Sequence, residues 1–210
     1  MRMILGAKAV LRTALAAALV TLSAPTRADE VSAKLQYCTT CHGASGQGYR
    51  GFYTMPRLAG QQPKYIENQL RAFAEKRRPH RIMTNVSAHG VPPSMAAALA
   101  ARFYAFNPSP LDGRPRGDVA LGRQIYDKGL PESNVPACST CHGAEAHGRN
   151  ETPRLAGQLG DYFVKKLTNW THERGQDAAH PDISRIMVPT THNLTQAQIA
   201  AVAAYVVTLR

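Results

Sequence analysis

Two short stretches of the chain carry the same five chemically loaded positions: Cys38-Thr39-Thr40-Cys41-His42, and again Cys138-Ser139-Thr140-Cys141-His142. Two thiols three positions apart, followed at once by an imidazole, give one helical turn three handholds on a single flat ligand. That ligand is haem: the thiols add across its two vinyl groups and the histidine becomes the proximal ligand of its iron. A thioredoxin-type dithiol or half of a zinc site also uses Cys-x-x-Cys. Neither explains a histidine directly after both copies, and a compact zinc ribbon would bring its cysteine pairs within about 20 residues of each other. These four cysteines are the only ones in the chain, so none is left for a disulfide. The motifs therefore predict two covalently attached haem c groups, with His42 and His142 as iron ligands.

An iron held from one side needs a sixth ligand. Arg81-Ile82-Met83 matches Arg185-Ile186-Met187 in the second half, and a thioether completes an electron-transfer haem while raising its potential. Met83 and Met187 are assigned on that repetition, since a lone methionine would be read as core filler. Met55 and Met95 have no matching partner. His80, His89, His172, His180 and His192 could each ligate instead, giving a haem of lower potential, and His89 and His192 fall in corresponding loops. Another repeat, Pro56-Arg57-Leu58-Ala59-Gly60-Gln61 and Pro153-Arg154-Leu155-Ala156-Gly157-Gln158, is identical over six residues. Beyond serving as a shared turn, it could place the Pro56 and Pro153 carbonyls to accept the spare ring protons of His42 and His142, which fixes the tautomer. The basic stretch Lys76, Arg77, Arg78, His80 and Arg81 reads as a solvated face, as a holder of haem propionates through Arg78 with Arg174 as its counterpart, or as a surface steering an acidic partner.

The elements around these residues are predicted to be helices. Val31, Leu35 and Cys38 share one face of a helix capped by Asp29, which delivers the first haem-binding turn. After each hexapeptide, Ile66, Leu70 and Phe73, or Phe163, Leu167 and Trp170, recur at i, i+4 and i+7 on one helix face. Each half then closes on a helix: one from a Ser94 cap with Leu99, Phe103 and Phe106, the other from Thr195 with Ile199, Val202, Val206 and Leu209. Tyr104 and Tyr205 correspond. The Pro- and Gly-rich stretch 107–117 reads as a stiff connector, and Asp118 caps the helix that follows it. The expected organisation is a segment 1–28, a haem domain 29–106, the connector, and a second haem domain 118–210.

Residues 1–28 have the form of a secretory signal: Arg2, Lys8 and Arg12, an apolar run from Thr13 to Ala24, and Thr26-Arg27-Ala28 for the peptidase. The run is shorter than the roughly 20 residues that span a bilayer, and an uncleaved anchor is the alternative. Removing the segment with its four basic residues, Arg27 included, takes the formal charge from +11 to +7. Few aromatic side chains remain to stack on bases, which argues against nucleic-acid binding.

With these motifs in hand, the chain from about Asp29 to Arg210 resembles the cytochrome c4 family. The resemblance implies an all-α fold of two tandem class I cytochrome c domains packed together after an N-terminal signal peptide. It further implies an electron-transfer protein without catalytic residues, working in the periplasm and possessing redox partners such as a membrane cytochrome complex or terminal oxidase, with peripheral membrane association left open. Alternatives are the dihaem subunit of a flavocytochrome or other dehydrogenase complex, and a dihaem peroxidase or thiosulfate-oxidising enzyme, which would need a haem with a displaceable ligand.

Overall fold

A computed structural model describes residues 26–111, 116–174 and 183–210. Most of the expected signal segment, His180, and Gly113 and Pro115 of the connector lie outside the described residues. The described chain is helical, and its only extended pairings are isolated bridges such as Tyr49 with Met55 and Arg149 with Thr152.

In the first half, α1 (Arg27–His42) runs without a break into the first haem-binding turn, followed by α2 (Pro63–Ala74), α3 (Arg81–Ala88) and α4 (Pro93–Ala105). Two expected caps are corrected. The N-cap of α1 is Thr26, whose hydroxyl accepts from the Asp29 N–H (3.3 Å) while the Asp29 carboxylate accepts from the Thr26 N–H (2.9 Å). Asp29 is thus the third residue of a capping box, where a carboxylate also meets the positive end of the helix. The N-cap of α4 is Pro92 and not Ser94, because Pro93, which has no N–H to satisfy, takes the first helical position. Phe106 lies just past the helix end.

The second half contains α5 (Val119–Lys128), α6 (Ser139–His142), α7 (Gly160–Thr168), α8 (Trp170–Glu173), α9 (Met187–His192) and α10 (Gln196–Val206). Asp118 and Thr195 cap α5 and α10 as expected. The helix expected to carry Phe163, Leu167 and Trp170 on one face is broken at Asn169, so Trp170 starts a separate turn whose indole N–H donates to the Ser184 carbonyl (3.1 Å). Helix α5 lies so close on α10 that a Cβ at Gly122 would stand 1.9 Å from the Ala201 carbonyl oxygen. Around this crossing Ile125, Tyr126, Phe163, Ile199, Val202 and Val206 form the larger core. The first core is smaller, Ile66, Ala100 and Phe103, with Leu35, Cys38 and Leu70 against it.

The duplication extends to single hydrogen bonds. The Leu58 and Ala59 N–H groups donate to the Gly46 carbonyl (2.8 and 2.9 Å), as Leu155 and Ala156 do to Ala146 (2.7 and 3.0 Å). The Gly60 N–H then donates to Phe103 of α4 (2.9 Å) and Gly157 to Val206 of α10 (3.3 Å). Each hexapeptide is thereby tied to the loop after its haem-binding turn and to its closing helix. Gly46 is left-handed at φ 68°, and Ala146 at φ 56° takes the same conformation despite its side chain, a local strain that the two hydrogen bonds onto its carbonyl hold in place.

Candidate haem sites

Both proximal imidazoles are buried at the ends of their turns. His42 Nδ1 lies 2.9 Å from the Pro56 carbonyl oxygen and His142 Nδ1 lies 2.9 Å from that of Pro153. A carbonyl oxygen can only accept, so Nδ1 carries the proton in each ring and Nε2 keeps its lone pair. Burial holds both imidazoles below the usual histidine range, with a smaller repulsion from His80 added at His42. Each ring is thus held neutral, with Nε2 open to a metal. The four cysteines are unpaired thiols, and Cys41 and Cys141 are exposed. Burial pushes the Cys38 thiol up and the Cys138 thiol up to about 11.

On the distal side, Met83 is part-buried in the first turn of α3, and Met187, also part-buried, opens α9 and packs against the second core. A cleft of about 400 Å³ opens between α1 and α3, lined by Lys34, Tyr37, Asn85, Val86 and His89. It separates the helix that ends in Cys38–His42 from the helix that carries Met83. In the second half a smaller cavity of about 170 Å³ is lined by Leu167, Trp170, Thr191, His192 and Ile199 among others. His89 and His192 thus stand at the cavity walls, both exposed, His89 just past the end of α3 and His192 as the last residue of α9. His80 caps α3, its Nδ1 accepting the Met83 N–H at 3.2 Å, with its ring edge-on to Phe73. His172 is exposed on α8.

The basic stretch 76–81 does not form one solvated face. Arg78 turns inward and is 7% exposed; it donates to Gln69 Oε1 (2.8 Å) and, across the contact between the halves, to the Tyr162 hydroxyl (3.1 Å). Arg174, 4% exposed, mirrors it by donating to the Tyr65 hydroxyl of the first half (2.9 Å). Lys166 lies between them, touching Glu173. Its burial, with repulsion from Arg78, Arg174 and Lys165, draws the ammonium down to about 7, while the Glu173 carboxylate acts in the opposite sense.

A feature that reasoning from the sequence missed is the part played by the last residue of each hexapeptide. Gln61 of the first half binds the backbone of Arg154, and Gln158 of the second binds the backbone of Arg57. The repeated glutamine was the only signal: once buried, it needs partners for both ends of its amide, and the adjacent N–H groups of Gln62 and Leu159 serve only the oxygen.

The cytochrome c family model matches residues 30–104 and 119–210, once per half. Cytochrome c4 of Thiocapsa roseopersicina is 36% identical over 80% of this chain and 84% of that protein. The thiosulfate dehydrogenase electron acceptor of Thiomonas intermedia is 33% identical over 79% of this chain and 75% of its own length. The structure of Acidithiobacillus ferrooxidans cytochrome c4 superimposes with a TM-score of 0.72 at 31% identity, covering 83% of this chain and 99% of that one. The chain belongs to the cytochrome c4 family. It is a dihaem electron carrier with one class I cytochrome c domain in each half and two covalently bound haem c groups, and it is not an enzyme. The residues present fit that group: paired free thiols one turn apart, and a buried imidazole beside them whose remaining nitrogen is available to iron. The zinc alternative finds no site among the described residues, where no group of three or more His, Cys, Asp or Glu is arranged to hold a bare ion. No helix among the described residues is long and apolar enough to cross a membrane.

Proposed function

We propose that this cytochrome is a periplasmic carrier that accepts and passes electrons one at a time, with Cys38 and Cys41, and Cys138 and Cys141, as attachment points and His42/Met83 and His142/Met187 as axial pairs. One observation carries the ligand assignment: in both halves a proline carbonyl 2.9 Å away occupies Nδ1 and leaves Nε2 to the iron. The haem, once bound, supplies the one-electron couple. The chain supplies fixed ligands, a buried pocket and a restrained geometry. The thioethers of Met83 and Met187 would complete the iron's ligands when haem is bound and would favour its reduced state. Arg78 and Arg174 bring two buried guanidinium groups to the contact between the halves, with the Lys166–Glu173 pair beside them, which suits the two arginines to haem propionates from either side. Pro56 and Pro153 hold the proximal rings.

The spectrum of the oxidised protein tests this. A weak sulfur-to-iron charge-transfer band, two haems per chain by mass, and positive potentials are expected. Met83→Ala and Met187→Ala should each remove about half of that band, whereas His89→Ala and His192→Ala should leave it intact. A high-spin haem that binds carbon monoxide in the unaltered protein would overturn the assignment.

As to partners, the leading reading sends electrons towards a terminal oxidase of the respiratory chain. The likeness to a thiosulfate dehydrogenase electron acceptor favours a second, in which a dehydrogenase is the donor. Stopped-flow reduction by such a dehydrogenase, followed by oxidation with periplasm-facing membranes, separates the two steps. The secretory signal of residues 1–28 belongs to the same proposal, and the mass of the exported protein checks it.

A further inference from the structure

The two glutamines that cross between the halves make a connection beyond packing. The Arg57 N–H donates to Gln158 Oε1 at 2.8 Å. That N–H belongs to the same peptide unit as the Pro56 carbonyl, which accepts from His42 Nδ1 at 2.9 Å. An unbroken chain therefore runs from a side chain of the second half, through one peptide group, to the imidazole of the first. It is reproduced in the other direction: the Arg154 N–H donates to Gln61 Oε1 at 2.7 Å, and the Pro153 carbonyl of that unit accepts from His142 Nδ1 at 2.9 Å.

The orientation of each amide is fixed by its other contacts. Gln158 Nε2 donates to the Arg57 carbonyl (3.1 Å) and Gln61 Nε2 to the Arg154 carbonyl (3.0 Å), so the oxygen of each glutamine must face the N–H. Each Oε1 also accepts from the next backbone N–H, Leu159 at 3.0 Å and Gln62 at 2.9 Å. Both glutamines are buried, at 5% and 8% exposure, so water does not stand ready to replace them.

We propose that Gln158 and Gln61 are positioning residues that each tune the haem of the opposite domain, by polarising the peptide group that holds its proximal histidine. This rests on the reading of His42 and His142 as proximal ligands. A peptide group whose N–H is engaged carries more negative charge on its oxygen, and such cooperativity strengthens the next bond by roughly 10–30%. A stronger acceptor on Nδ1 makes the imidazole more basic towards iron. A more basic ligand favours ferric iron, so each glutamine lowers the potential of the haem across the interface. Two haem domains joined only by packing would lack this crossed dependence.

The test uses the full holoprotein with Gln158→Leu and Gln61→Leu. Haem count and the sulfur-to-iron band are measured first; if these fail in the unaltered protein, the ligand assignment itself is wrong, separately from the crossed tuning. With both intact, Gln158→Leu should raise the first-domain potential by a two- to threefold change in the reduced-to-oxidised ratio, about 20 to 30 mV at 59 mV per tenfold, and leave the second in place. Gln61→Leu should do the converse. In the reduced protein, backbone-assigned NMR should show the Nδ1–H resonance of His42 moving upfield in the first variant and that of His142 in the second. Because the leucine could loosen the contact between halves, Gln158→Glu and Gln61→Glu serve as companions: they keep an acceptor on the N–H, so the crossed potential should stay at or below its unaltered value. Both potentials moving together, each variant moving its own domain, no movement, or a rise in the glutamate variants overturns the proposal.

Discussion

The two halves share a plan and differ in how their first helix is held. In the second half α5 buries Gly122, Ile125 and Tyr126 against α10, and the Tyr126 hydroxyl donates to the Gly143 carbonyl just after the haem-binding turn (2.6 Å). In the first half the one buried residue of α1 is His42, the proposed ligand. Its Leu35 and Cys38 rest on a core of three buried residues. Burying a large apolar side chain contributes about 1.5–3 kcal/mol, so the second half holds its helices through side chains that the first lacks. The first-half pocket must then draw more of its cohesion from the haem, if the proposed attachment through Cys38, Cys41 and His42 holds it to the end of α1.

That difference gives the largest expected effect. Replacing Cys38 and Cys41 by alanine should abolish attachment in the first half and cost that half most of its helical signal, because α1 then keeps as anchors part-buried Val31, Leu35 and position 38 and the His42 bond to the Pro56 carbonyl. The corresponding change at Cys138 and Cys141 should also remove one haem but leave α5, α7 and α10 largely assembled. Mass spectrometry counts the haems and circular dichroism follows the helices on heating. Equal losses of helix in the two variants would break the comparison.

A smaller change attacks the second half at its crossing. In Gly122→Ala the new Cβ would meet the Ala201 backbone, 1.9 Å from its oxygen and 2.5 Å from its carbon, with Tyr205 Cβ at 3.0 Å. Backbone cannot swing aside as a side chain does, so the helices must separate. A loss of about 3 kcal/mol, at the upper end for overpacking, is expected in chemical denaturation, confined to the second-half transition. An unchanged midpoint would show that α5 and α10 are not locked as the close approach implies.

How much of this could be read from the residues follows from the range of the interactions. The haem-binding turns, the proline carbonyls on the proximal rings, and the caps at Asp118 and Thr195 depend on neighbours a few residues away or on a repeated motif, and they stood in the sequence. The Asp29 and Ser94 caps were misplaced by two or three residues because the competing Thr26 and Pro93 satisfy helix starts equally well. The break at Asn169 was hidden, since Phe163, Leu167 and Trp170 keep helical spacing whether or not the helix continues. That the halves pack together was expected, but the pairs that join them were not legible: Arg78 with Tyr162, Arg174 with Tyr65, and the crossed glutamines each join residues more than eighty positions apart. Repetition showed that these residues mattered without showing that each copy serves the other.

A further step isolates the phenol that braces the second haem-binding turn. Burial, with Cys138, Tyr205 and Asp127 adding to it, pushes the Tyr126 phenol above its ordinary range, so it remains a donor wherever the protein is folded. Tyr126→Phe keeps the ring in the core and leaves the Gly143 carbonyl without that donor. The cost should be about 1–2 kcal/mol, measured as a lower denaturation midpoint of the second half with both haems still attached. A variant as stable as the parent would mean that packing alone braces the turn.

The smallest effect concerns a stretch where the first half is longer. Fourteen positions separate His42 from the proline that holds it, against eleven for His142, and the additional residues form a loop that exposes Phe52 and Tyr53. Arg50 at its base reaches Asp161 of α7 in the other half at 3.7 Å, with both side chains substantially exposed. An ion pair in that setting is worth less than about 1 kcal/mol and is screened by salt. Asp161→Asn should therefore lower stability by a few tenths of a kcal/mol in dilute buffer, about the limit of measurement, and by nothing resolvable at high ionic strength. A larger, salt-resistant loss would mean that the longer loop helps join the halves, and the first half would then depend on its neighbour as well as on its haem.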